Sequence, residues 1–115
     1  MNNQEKNSYV RSQILKTLLE MMQVDNFDSI TISRLTAKAE VGRASFYRNY
    51  QTKEDVLRQE AKRLNNELND IRRNDDPNDY RLKLLRTLDF YKTNSDFYMT
   101  IYNAGLTQII QDSII

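Results

Sequence analysis

The stretch Ile30–Leu57, ITISRLTAKAEVGRASFYRNYQTKEDVL, decides how this chain folds. Within it Ile32, Leu35 and Ala39 recur at three and four residues, the spacing of one helix face, and Thr31 or Ser29 can cap its start. A brief turn at Glu40-Val41-Gly42 leads to a further short helix from about Arg43 to Asn49, with Val41 and Phe46 facing the core. Two short helices joined by a tight turn can hold the second in the major groove of duplex DNA, about 12 Å wide. Arg34, Lys38, Arg43, Arg48 and Lys53 bracket that second helix against a single Glu40. Phosphates run along both sides of a groove, so this distribution suits duplex DNA. The whole-chain net charge of +1 carries no such information.

Working outward, an amphipathic helix is expected from about Ser8 to Val24, with Ile14, Leu18 and Met21 flanked by Leu15, Leu19 and Met22. Asp25-Asn26 ends it, and Phe27 anchors the connection in the core. On the other side, Thr52 precedes Asp55 by three residues, a capping box with the shorter acid. It opens a long helix to about Ile71 with one seam of Leu57, Ala61, Leu64, Leu68 and Ile71. Arg72–Asp79 is polar and holds the only proline, so it reads as a loop. A helix over Tyr80–Lys92 then turns Leu84, Leu85, Leu88 and Tyr91 inward. Asn94-Ser95-Asp96 caps one last helix, carrying Tyr98, Ile101, Tyr102, Leu106, Ile109 and Ile110.

No strand pattern appears, so the expected fold is all-α. A three-helix DNA-binding domain occupies 1–50, with the helix from 52 packed against it. A connecting helix and part of a helical regulatory or dimerisation domain fill 51–115. The chain stops on Ile114-Ile115 without a capping signal, which reads as an incomplete regulatory domain wanting a partner surface.

Composition narrows the chemistry. There is no cysteine for a disulfide or thiolate site, and no histidine, the commonest general base and metal ligand. No nucleophile–base pair or phosphate loop appears, so an enzyme is not expected, nor a cofactor. Asp75, Asp76 and Asp79 sit in a polar loop and read as solvated charges rather than a metal site. The polar start Met1–Ser8 lacks the apolar core of a signal peptide, and no apolar run approaches the roughly 20 residues that cross a bilayer. A cytoplasmic protein without a membrane partner is expected.

Residues Leu35-Thr36, then Ala39-Glu40-Val41-Gly42-Arg43-Ala44-Ser45-Phe46-Tyr47-Arg48-Asn49-Tyr50, then Thr52-Lys53-Glu54 and Leu57 resemble the N-terminal domain of the TetR family of repressors. The resemblance extends over about Ser8–Leu68. Glu40 stands at the family's turn glycine, Gly42 at its serine cap, and Ala44 at a second glycine. A non-glycine residue held at positive φ costs about 1–2 kcal/mol. The resemblance implies a sequence-specific transcriptional regulator of double-stranded DNA, and a ligand-responsive repressor. It further implies a homodimer in the full-length form, a palindromic operator and a small-molecule effector. A small all-helical adaptor for a protein partner is the alternative.

The same resemblance implies roles for Thr31, Arg43, Ala44, Ser45, Tyr47, Arg48, Asn49 and Lys53 at DNA. Tyr47 and Lys53 look like phosphate contacts, and Thr31 and Ser45 supply further hydroxyl donors. Arg43 leads the recognition helix and can grip guanine, Ala44 can meet a thymine methyl, and Arg48 or Asn49 can reach bases or backbone. Each has a plainer reading beside it: Tyr47 as a packed ring, Arg43 and Lys53 as surface charges. Tyr91, Phe97, Tyr98 and Tyr102 can line an effector pocket, or simply be core.

Overall fold

The structure, a computed structural model, describes residues 2–73 and 76–114. Among them are seven α-helices, one 3₁₀ turn and no strand. The helices are α1 (Asn3–Met21), α2 (Ile32–Ala39), α3 (Arg43–Asn49), α4 (Lys53–Arg73), α5 (Tyr80–Thr93), α6 (Ser95–Asn103) and α7 (Thr107–Ile114); the turn is Phe27–Ser29. Two compact units divide between Arg58 and Gln59, inside α4, rather than at 50/51. The first turns of α4 belong with unit 1 because Val56 and Leu57 are buried and Lys53 bonds back to the Phe27–Ile30 segment. Among the described residues no helix is long and apolar enough to cross a membrane.

In unit 1, α1 packs against α2 and α3, and α2 against α3. Ile14, Leu18, Met21, Phe27, Ile30, Leu35, Ala39, Phe46, Tyr50, Val56 and Leu57 form its core. The expected Leu15, Leu19 and Met22 are only half-buried, so the inward face of α1 is narrower than the apolar pattern. Helix α1 also starts before Ser8. Asn2 Oδ1 accepts the Glu5 N–H at 2.8 Å, while Glu5 Oε2 accepts the Asn2 N–H at 3.3 Å. This reciprocal cap carries the helix through polar turns that apolar periodicity cannot detect. Its other end falls at Met21, leaving Val24 exposed.

Helix α4 opens on the expected capping box. The Asp55 N–H reaches Thr52 Oγ1 at 3.2 Å, and Asp55 Oδ2 accepts the N–H groups of Thr52 and Gln51, each at 3.1 Å. In unit 2 its residues Ala61, Leu64 and Leu68 are buried with Phe90, Phe97, Ile101 and Ile109. Arg72 and Arg73 extend α4 instead of starting the loop, and Asn74 and Asp75 lie outside the described residues. Asp76 Oδ1 accepts the Asn78 N–H at 2.9 Å, and Asp79 caps α5 through the Leu82 N–H at 3.0 Å. Both acids thus shape the chain, and among the described residues no acidic, Cys or His group gathers into a metal site.

Two expectations for unit 2 are corrected. Leu84, Leu85, Leu88 and Tyr91 are exposed, and Phe90 is the buried side chain of α5. The expected last helix is two helices, because the chain turns at Gly105 with φ 74°. There the Leu106 N–H bonds to Ile101 O and the Gly105 N–H to Tyr102 O, both at 3.0 Å. That pair of bonds closes α6 as a Schellman cap.

Candidate nucleic-acid interface

The turn between α2 and α3 is built around Glu40, held at φ 58° and ψ 42°. The Val41 N–H reaches Thr36 O at 3.1 Å and the Glu40 N–H reaches Ala37 O at 3.3 Å. These are the two bonds of a Schellman cap, here with glutamate in the left-handed position that glycine occupies most cheaply. Gly42 follows in extended conformation as N-cap of α3, with no side chain to hold the first turn.

Helix α3 has seven residues, too few to be stable alone, so its position rests on packing. Phe46 is fully buried and Tyr50 nearly so, with their rings 5.4 Å apart. Facing away from that anchor, Arg43, Ala44, Tyr47 and Arg48 are all exposed. The Tyr47 ring meets Phe46 edge-on at 5.3 Å, yet 51% of the residue stays accessible. It is therefore neither a packed core ring nor a free one: it touches the Phe46 ring and stays half accessible. Ser45 and Asn49 are half-buried at the sides of the helix. Thr31 is exposed and caps α2, its Oγ1 accepting the Arg34 N–H at 3.1 Å.

The five cations of this region separate into two groups. Arg34 pairs with Asp25 at 2.9 Å and donates to Ser29 O at 3.2 Å. Lys53 donates to Phe27 O at 2.5 Å and Ile30 O at 2.9 Å, with its ammonium 4.4 Å from the centre of the Phe27 ring. Two of its three N–H donors are thus held by the carbonyls of the residue that opens the 3₁₀ turn and of the residue that follows it, which makes Lys53 a clamp within unit 1. Lys38, Arg43 and Arg48 are exposed and have no ion pair among the described residues.

Sequence reasoning passed over Arg11, whose Nη1 donates to Asn49 Oδ1 at 3.3 Å, while Asn49 Nδ2 donates to Ser45 O at 2.9 Å. The partners lie 38 residues apart, and no local pattern signals such a pair. Lys38 was visible only as one charge in a basic stretch.

In unit 2, the Tyr91 and Tyr98 rings meet at a tilt with their centroids 5.1 Å apart, and Phe97 meets Tyr98 edge-on at 5.5 Å. Phe97 is buried, whereas Tyr91 and Tyr102 are exposed. None of the four lines the cavity of about 310 Å³ formed by Glu67, Ile71, Arg86, Asp89, Phe90, Thr93 and Asn94. Periodicity found the aromatic group but not the hollow, which lies on the α4-facing side of α5.

Residues 14–59 match the family model described as bacterial regulatory proteins, tetR family. No curated protein and no solved structure matches the chain. The matched segment holds α2, the Glu40 turn and α3 intact, together with α1 from Ile14 onward and the start of α4. Residues 14–59, which hold the helix-turn-helix of unit 1, therefore match the DNA-binding domain of the tetR family of bacterial regulators.

Proposed function

We propose that the chain recognises a specific double-stranded DNA sequence and acts as a ligand-responsive repressor. The observation that carries this reading is the outward face of α3: Arg43, Ala44, Tyr47 and Arg48, exposed together, with neither arginine in an ion pair among the described residues. Arg43 is assigned to guanine through a bidentate bond, Ala44 to a thymine methyl, and the Tyr47 hydroxyl and Arg48 to the backbone or adjacent bases. Thr31 and Ser45 are assigned to phosphates through their hydroxyls. Lys53 and Asn49 are assigned to holding the helices in place, because each already has intramolecular partners.

Regulation is assigned to unit 2. Its cavity of about 310 Å³ sits at the lower end of the roughly 300–1,000 Å³ that small-molecule sites occupy. Phe90 and Ile71 offer apolar wall; Glu67, Asp89, Thr93 and Asn94 offer polar contacts. The exposed apolar side chains of α5 favour pairing of two chains, which suits a palindromic operator. The same face supports the alternative reading of a protein-binding adaptor.

Duplex titrations at several salt concentrations separate the two readings. DNA binding through about four to six phosphates per domain gives a steep linear fall of log affinity with log salt, close to −0.9 per phosphate. An affinity independent of salt, or no duplex binding at all, would contradict the DNA reading and leave the adaptor.

A further inference from the structure

Helix α3 has no side-chain cap at Gly42 and is anchored in the core through the buried Phe46 and Tyr50. Rotation about the helix axis is what decides where Tyr47 and Arg48 point. A polar contact ties the last turn of α3 to α1. The Asn49 amide is bonded at both ends, with Nδ2 on the Ser45 carbonyl at 2.9 Å and Oδ1 receiving Arg11 Nη1 at 3.3 Å. The guanidinium is in turn steadied by Ser8 Oγ, 3.4 Å from Nη2. Arg11 stands on α1, which packs against α3 and is the longest helix of unit 1. A charged donor from that scaffold therefore holds the last turn of α3.

We propose that Arg11 is a positioning residue for sequence recognition, setting the rotation of α3 through Asn49. The proposal rests on the DNA reading above. Arg11 keeps free N–H donors, since a guanidinium carries five, so a direct phosphate contact is the competing role that the test must separate.

The test uses the full chain with Arg11→Gln, Arg11→Lys, Asn49→Ala and the double change Arg11→Gln/Asn49→Ala. The probes are a duplex selected from a randomised pool and a scrambled duplex of the same composition. A positioning role predicts that Arg11→Gln and Asn49→Ala each weaken the selected duplex roughly tenfold, within the range of coupled neighbours. The double change is then no worse than either single one, scrambled DNA is unaffected, and the salt slope is unchanged. Arg11→Lys, which keeps a charged donor, restores part of the loss. As a readout without DNA, Arg11→Gln shifts the side-chain amide proton signals of Asn49.

Losses on both duplexes with a salt slope shallower by about one would make Arg11 a phosphate ligand and overturn the proposal. Additive losses, or none from Arg11→Gln, would overturn it too. A wild-type chain that shows no preference between the duplexes sinks the recognition reading and this inference together. A wild-type preference untouched by Arg11→Gln sinks the inference alone.

Discussion

Glu40 is where this chain carries measurable backbone strain. The left-handed conformation costs a non-glycine residue about 1–2 kcal/mol, and glycine there loses part of that gain through a freer unfolded chain. Glu40→Gly is therefore expected to stabilise unit 1 by about 0.5–1 kcal/mol, read as a higher thermal midpoint; an unchanged or lower midpoint would contradict the strain. Asp55 offers a second test. Burial pushes its carboxyl up, but the N–H groups of Gln51 and Thr52 and the Arg58 guanidinium outweigh this and hold it below its ordinary 3.8. A depressed folded value means the stabilisation is present above pH 3.8 and is lost as pH falls through that lower value. Asp55→Ala should cost about 1 kcal/mol at neutral pH. The difference from wild type should shrink in acid, by urea unfolding at several pH values. Both residues were legible in the sequence: Glu40 because the motif wants glycine there, Asp55 because Thr52 stands three residues before it. Lys53 was not. Its charge was plain, but its carbonyl partners lie 26 and 23 residues away, so a clamp and a phosphate ligand look alike until the chain is folded.

Among the elements, α2 and the seam of α4 could be read from periodicity: Leu35, Ala39, Leu57, Ala61, Leu64 and Leu68 are buried at the spacing the pattern defines, while Ile32 and Ile71 are only half-buried. Helix α5 shows what periodicity omits. Leu84, Leu88 and Tyr91 make a helical face, yet a pattern cannot say whether anything covers it, and here they are 58%, 56% and 41% exposed. Leu84→Lys with Leu88→Glu is accordingly expected to change the unfolding free energy of the isolated chain by no more than about 0.5 kcal/mol. The same pair should abolish concentration-dependent association in sedimentation. A large loss of stability would show the face to be core. Gly105 was overlooked as a stop because the apolar residues on either side continue at helical spacing across it. In the same unit, burial pushes the Tyr98 phenol up to about 12, helped by Tyr91 and the carboxylates of Glu60 and Glu67. Because the folded value is raised, this stabilisation is complete below the ordinary 10.0 and is lost as pH rises towards 12. Unfolding midpoints should therefore drop over that window in wild type and less steeply in Tyr98→Phe. Equal slopes would remove Tyr98 as the cause.

For the whole molecule, 17 cations and 16 anions nearly cancel, so no global field draws it to DNA. What remains is local. Intramolecular partners take up Arg34 and Lys53, whereas Arg43 and Arg48, without an ion pair among the described residues, are left on the exposed face of α3. The central claim is that this face reads bases, and Arg43→Ala tests it most directly. Binding isotherms on a selected and a scrambled duplex, at one fixed salt concentration, should show the selected duplex weakened by about 1–3 kcal/mol and the scrambled one unchanged. Equal weakening of both duplexes, or of neither, would show that α3 does not lie in the groove with Arg43 at a base edge.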